Sequence, residues 1–309
     1  MTPTAVLSTQ PAVRARQARW PVSIGPGKRA LQIALGSVWL LDAALQFQPF
    51  MFTRQFVTTI IAPTAAGNPA AVARLILWSA HLMEQHIALY NALFALAQLA
   101  IAVGFFSRRT VKLAIACSIA WAVFVWFFGE GLGGVLTGAS PLMGLPGAVL
   151  LYAFIALLIW PSDGQPGTRA KTGWMVLWAA LGCYQLLPAN RAPGAVSSMF
   201  AGAAAMVPSW LRPVETGLAS LTSGHGLIAS ALIWAACLAA GLGVASTRLT
   251  RPALVLAVLL AALFWAAEGF GGLTTGQATD PNSGPLLVLL AACFWLLPAS
   301  ASAATSLPL

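Results

Sequence analysis

Two stretches, "LAIACSIAWAVFVWFF" (residues 113–128) and "PALVLAVLLAALFWAA" (residues 252–267), each run sixteen positions without a charged side chain. With their flanks they are long enough to cross about 30 Å of hydrocarbon as helices. A helix is one of only two backbone forms that satisfy their own hydrogen bonds in lipid. The other, a β-barrel, requires strict apolar/polar alternation, and no segment here has it. The rest of the chain agrees: it is 59% hydrophobic and 7% charged, with a mean hydropathy of +0.83. Ordinary soluble domains carry about 25% charged residues. The expected class is an all-α, polytopic membrane protein.

Hydropathy and punctuation give eight transmembrane helices, over 30–48, 86–106, 111–129, 146–160, 173–188, 225–245, 252–267 and 285–298. In each half, a Pro-containing stretch between the first two spans reads as interfacial helix on the outer surface. Placing the N-terminus in the cytoplasm puts Arg14, Arg16, Arg19, Lys28, Arg29, Arg108, Arg109, Lys112, Arg169, Lys171, Arg248 and Arg251 inside. Only Arg54, Arg74, Arg191 and Arg212 then lie outside. That bias predicts N-in and C-in, hence an even number of spans.

The halves read as two parallel four-helix repeats. Trp39, Gln46, Pro49 and His86 match Trp178, Gln185, Pro188 and His225 at a constant offset of 139, and Glu130 matches Glu268 at 138. The implied organisation is a basic cytoplasmic tail (1–28), a first repeat (29–161), a cytoplasmic linker (162–173), a second repeat (174–298) and a C-terminal tail (299–309). The first tail has no apolar core, so it is neither a cleavable signal nor a span. Its composition also fits a transit peptide, but a plain tail is the expectation. The net charge of +9 would favour nucleic acid in a soluble chain. In a membrane protein it sets orientation, and no nucleic-acid partner is expected. Cys117, Cys183, Cys237 and Cys293 fall inside spans without a Cys-x-x-Cys and read as packing residues.

The polar residues are the candidate site. Each half sets a glutamate before a glycine burst, "EGLGG" at Glu130 and "EGFGG" at Glu268. Helix rise places Glu130 about 27 Å from Lys112, near the outer boundary. Gln46, Gln185, His86 and His225 reach the same level at their helix ends. Together they outline an outward-facing mouth, against the simpler reading of the glutamates as solvated helix ends. Asp42 lies deeper, about 10 Å inward of Pro49. It is expected to be neutral, paired with Gln46 one turn away, or exposed to a polar path that carries a proton or a substrate. Leu181 takes its place in the second half.

Three local patterns carry less. His81 and His86 in "HLMEQH" differ by five positions, about 140° on one helix, so they do not chelate as an i, i+4 pair would. His81 with Glu84 is the better local pair. A metal site built across helices from His86, His225, Glu130 and Glu268 stays open. Gly129 to Gly134 satisfies G-x-G-x-x-G, but it follows a membrane helix rather than a strand, so no dinucleotide site is expected. No Ser/His/Asp signature for catalysis is present.

The four-span unit, with "ALFALAQLAIAVGFFSRRTVKLAIA" and its partner "ALIWAACLAAGLGVASTRLTRPALVLA" after a long outer excursion, resembles the DoxX-like membrane proteins. The resemblance implies a four-helix bundle and, in some members, a membrane subunit of quinone-linked sulfur oxidation. It carries over no site residues, and the tandem duplication departs from the usual single unit. The leading expectation is a multi-pass protein of the plasma membrane, the bacterial inner membrane, that binds or transports a small polar or cationic solute from the outer face. The alternatives are a redox subunit holding quinone or haem beside a redox partner, with His86 and His225 as axial haem ligands, and a passive anchor. The sequence requires no cofactor; haem, quinone or a metal ion each stay open.

Overall fold

The computed structural model describes residues 26–161 and 167–297. The tail arginines used for orientation, residues 162–166 of the expected linker and all of the C-terminal tail lie outside the described residues. Every regular element among the described residues is helical. In order they are α1 (Pro26–Leu45), the single turn α2 (Arg54–Phe56), α3 (Ala70–Gln85), α4 (Ile87–Phe106), α5 (Val111–Phe128) and α6 (Ala148–Leu158). Then follow α7 (Thr168–Gln185), α8 (Ala195–Ala203), α9 (Arg212–Thr222), α10 (Gly226–Leu242), α11 (Thr250–Ala267) and α12 (Ser283–Leu296). Residues 168–173, expected in the linker, are already helical in α7.

Four segments are long and apolar enough to cross a membrane: Ile87–Phe106, Val111–Phe128, Gly226–Ala245 and Thr250–Ala267. They expose Leu89, Leu93, Leu96, Leu113, Val123, Leu232 and Leu259 along their outer faces. Exposed apolar surface of that kind suits a membrane-embedded protein. The expected fourth and eighth spans differ. With 11 and 14 residues, α6 and α12 measure about 16 and 21 Å, short of the hydrocarbon thickness. They are instead the centre of the molecule. Seven of the eleven residues of α6 are buried, against six of twenty in α4.

Packing follows one scheme in both halves. Helix α1 lies on α4 as α7 lies on α10, α4 meets α5 as α10 meets α11, and α5 meets α6 as α11 meets α12. The halves join through α6 against α12 and α1 against α12. Buried Trp39, Tyr152, Trp174, Trp178 and Phe264 fill the shared core. Trp39 stacks on Tyr152 with ring centroids 4.5 Å apart, and its Nε1 donates to Ser118 Oγ at 2.9 Å, tying α1 to both α6 and α5. Outside this bundle, α3 presents Leu75 and Trp78 outward and α9 presents Val214 and Leu221.

The two ends of the bundle are chemically opposite. At one end Arg29 donates to the carbonyls of Phe105 (2.8 Å) and Phe106 (2.6 Å), which close α4. Lys28 and Gln32 donate to the carbonyls of Trp160 (3.3 Å) and Ile159 (3.0 Å) beyond α6. Cations on orphan carbonyls at helix C-termini complement both the missing hydrogen bonds and the dipole. The other end is held by carboxylates and glycine turns.

Those turns give the first testable outcome. Gly133 has φ +58°, and a Cβ there would fall inside van der Waals contact with the carbonyl oxygen of Pro146. Gly202, in α8, has nothing within 4 Å of its added Cβ. Gly133→Ala should therefore lower the melting temperature in detergent sharply or prevent folding. Gly202→Ala should be neutral or stabilising by up to about 1 kcal/mol. Equal tolerance of both would contradict the packed turn.

Candidate functional site

After α5 the backbone makes a short left-handed coil: Gly131, Leu132, Gly133 and Gly134 have φ of 55°, 61°, 58° and 76°. After α11 the same conformation recurs at Gly269, Phe270, Gly271 and Gly272, with φ of 60°, 53°, 72° and 59°. Side chains resist this region, which is why three of the four positions in each coil are glycine. A tryptophan one turn earlier then fixes the far end of each loop. Trp126 Nε1 donates to the carbonyl of Pro146 at 2.8 Å, and Trp265 Nε1 to that of Pro281 at 2.9 Å.

The consequence is that each loop turns back, and its glutamate meets the start of the next helix. Glu130 Oε1 accepts from the Val149 amide at 3.3 Å, in the first turn of α6. Glu268 accepts from the Ser283 amide at 3.1 Å and from the Ser283 hydroxyl, at the start of α12. A carboxylate at a helix N-terminus satisfies orphan N–H groups and faces the positive end of the dipole. The simpler reading of the glutamates as solvated helix ends does not describe these contacts. Glu268 is buried and Glu130 half-buried, and the loop residues Ser140, Leu142 and Leu145 are buried within the protein.

Beside these carboxylates lies a cavity of about 580 Å³. Four of the chain's seven acidic residues line it: Asp42 from α1, Glu130, Glu268, and Asp280 from the loop before α12. Among the described residues, no Lys, Arg or His lines it. Of the remaining acids, Glu84 lies on α3, Glu215 is buried on α9, and Asp163 falls outside the described residues. Trp39, Trp78, Tyr90, Phe94, Trp121 and Phe124 wall the cavity. Phe94 meets Trp121 edge to face and Trp121 lies tilted against Phe124, with centroids 5.4 and 5.5 Å apart.

The hydrogen-bond inventory of this cavity is one-sided. Tyr152 donates its hydroxyl to Asp42 Oδ2 at 2.5 Å, but Asp42 Oδ1 has no partner. Gln46 Oε1, Gln98 Oε1 and Glu130 Oε2 are likewise buried without partners, and all three residues line the cavity. Trp121 Nε1 is the one donor there in the same condition among the described residues. Buried acceptors without donors are destabilising, and four converging on one space suit a donor-rich guest. Asp280 is partly satisfied, by Thr279 Oγ1 at 2.8 Å and the Asn282 amide at 2.7 Å.

Burial, and then the neighbouring Asp280, push the Glu130 carboxyl up to about 8. Burial likewise raises Glu268 to about 8, with the Ser283 hydroxyl and amide partly offsetting it. Burial raises Asp280, opposed by Thr279 and Asn282.

Of the residues singled out in the sequence, Asp42, Gln46, Glu130 and Glu268 meet in this cavity; Gln185, His86 and His225 do not line it. Gln185 is held in a closed network. Its Oε1 accepts from Ser140 Oγ at 2.6 Å, and its Nε2 donates to Ser230 Oγ at 2.8 Å and to the Asn190 carbonyl at 3.3 Å. In the first half Asn91 stands where Ser230 does and donates to the Gln46 backbone carbonyl at 2.7 Å, leaving the Gln46 side-chain oxygen free. His86 is exposed in the break between α3 and α4, and exposed His225 sits with Nδ1 2.7 Å from the Ser223 carbonyl. Neither histidine joins the glutamates at the cavity, so the four-residue metal set is not assembled among the described residues. Among the described residues no group of three or more His, Cys, Asp and Glu is placed to hold a metal ion. His81 pairs with Gln85 at 3.1 Å rather than with Glu84.

Asp280, Tyr152, Gln98 and Trp121 were not evident in the sequence. Asp280 left a faint signal, as an acid in "TDPNSG" next to a helix start. No family model matches the chain, and no curated protein or solved structure shows significant similarity to it.

The raised carboxyls have a measurable consequence. Their folded pKa of about 8 exceeds the ordinary 4.5, so folding favours the protonated form. Stability of the ligand-free protein should therefore fall as pH rises from about 4.5 to about 8, by at most about 1.4 kcal/mol per pH unit for each group, and level off above. The melting temperature in detergent should drop between pH 5.5 and 8.5, and Glu130→Gln or Glu268→Gln should flatten the drop. A melting temperature that rises over that range would contradict the assignment.

Proposed function

We propose that this protein binds a small organic cation in the acid-lined cavity and moves it across the plasma membrane, a bacterial inner membrane. The observation that carries the reading is the set of four unpartnered acceptor oxygens on Asp42, Gln46, Gln98 and Glu130, inside an aromatic-walled cavity that no basic residue lines among the described residues. An ammonium group supplies the missing donors, balances the carboxylates and sits well on aromatic faces. Glu130 and Glu268 hold protons near neutral pH when the cavity has no cation in it, and an arriving cation displaces them. This exchange suits a carrier that works against a proton.

The chain crosses the bilayer eight times as two parallel four-helix units of DoxX-like pattern, with both termini cytoplasmic. The recurrence of helix pairings in both halves supports this, as do Lys28 and Arg29 at the carbonyl ends of α6 and α4. The short helices α6 and α12 complete their crossings with the glycine-turn loops, and non-helical backbone at membrane depth is tolerated where it is buried or lines a cavity. A quinone is the competing guest, because protonated carboxyls can donate to a quinone carbonyl. The haem form of the redox reading has no support in the placement of His86 and His225.

Isothermal titration of the purified protein with alkylammonium ions separates these readings. Affinity should rise with pH up to about 8, by as much as tenfold per unit for each displaced proton, and the heat should vary with buffer ionisation. Asp42→Asn and Glu130→Gln preserve the contacts to Tyr152 and Val149, and should weaken binding tenfold or more without unfolding the protein. Binding of a ubiquinone analogue but of no ammonium ion would overturn the proposal in favour of the redox reading.

Orientation has its own test. In a background without the native cysteines, cysteines at the exposed positions Thr137 and Gln277 should react with impermeant thiol reagents from outside, and one at Arg109 should not. The reverse pattern would invert the topology.

A further inference from the structure

The rim of the cavity narrows the class of cation. A site that receives a hydrophilic solute from water needs a polar, hydrated mouth. Here the lining residues that are also exposed are Trp78 (61%), Leu82 (37%), Phe124 (41%) and Met143 (61%), and all four are large and apolar. Trp78 and Leu82 lie on α3 and Phe124 on α5, two helices that pack against each other. Phe124 is thirteen residues from the start of α5, about 20 Å along it, within the depth of hydrocarbon. The outward faces of these residues meet acyl chains, whereas Asp42, Gln46 and Gln98 are buried at the inner side of the same space.

We infer that the guest is an amphiphilic amine, an ammonium head on an alkyl or aromatic body, which passes into the cavity sideways from the outer leaflet between α3 and α5. Its head reaches Asp42, Gln98 and Glu130, while its body lies along Phe94, Trp121, Phe124 and Trp78. The volume of about 580 Å³ is that of a small-molecule site, larger than an ammonium ion alone needs. Tryptophan at the portal matches the preference of indole for the membrane interface, and its face attracts a passing cation. The inference rests on the cation reading given above and adds the apolar body and the lateral route.

The experiment uses the full chain in nanodiscs and compares ethylammonium, n-octylammonium and n-octanol, each corrected for partition into protein-free nanodiscs. Saturable octylammonium binding should be at least tenfold tighter than ethylammonium binding, and octanol should not saturate. Trp78→Ala with Phe124→Ala should weaken octylammonium at least tenfold more than it weakens ethylammonium, and an unchanged melting temperature in detergent shows that the variant is folded. Asp42→Asn should weaken both. Equal affinity for the two amines, unchanged by the portal variant, would overturn the lateral amphiphile and leave the cation reading standing. Octanol binding as tightly as octylammonium, or no binding of either amine, would overturn both.

Discussion

Everything in the site depends on two carboxylates folded back onto the N-termini of two short helices. A helix that begins inside a membrane protein leaves its first amides without partners, and no water is at hand to supply them. Glu130 and Glu268 supply them for α6 and α12. To reach those amides, the chain must reverse within a few residues of a long apolar helix. The left-handed glycine coils and the tryptophan-to-proline hydrogen bonds accomplish that reversal. The cavity exists because α6 starts deep, and the acids lie beside it because they hold that start in place. The glutamates therefore have a structural duty and a chemical opportunity in the same position.

The halves have used this arrangement differently. In the second, Leu181 replaces the aspartate, Ser230 replaces the asparagine, and Gln185 is tied to Ser140, Ser230 and Asn190. Both Glu268 oxygens have partners at Ser283. In the first, Asp42, Gln46, Asn91 and Glu130 each keep one buried oxygen without a donor. Asp280, from the second half, adds a further carboxylate to the first half's cavity. The second half's counterparts of these residues are thus tied by hydrogen bonds, although Glu215 on α9 keeps both oxygens buried without a partner outside the cavity. In the first half, Asp42, Gln46 and Glu130 line the cavity with an oxygen unpaired.

Much of the framework was legible in the sequence, because bilayer crossing imposes length and hydropathy directly. The long apolar helices and the matching glutamates follow from composition and spacing. The short α6 and α12 were not legible as such, since a buried apolar helix of eleven residues and the end of a longer span have the same composition. The contact of Glu130 with the start of α6 was not legible for a related reason. Helix rise locates a residue along α5, but it carries no sign that the next four residues turn left-handed and bring the following helix back to the carboxylate. The histidines misled because equal register in two helices does not place side chains in one space: His86 and His225 are both exposed at helix starts. Asp280 and Tyr152 become site residues only through tertiary packing, which no local pattern in the chain encodes.

The central claim is that the buried carboxyls carry protons until a cation arrives. Infrared difference spectroscopy on the protein in nanodiscs, before and after addition of octylammonium at pH 7, reads this directly. Loss of protonated-carboxyl stretching intensity, with a matching gain in carboxylate bands, is the predicted result; Glu130→Gln and Glu268→Gln should each remove part of it. A difference spectrum with bound amine but unchanged carboxyl bands would contradict the account.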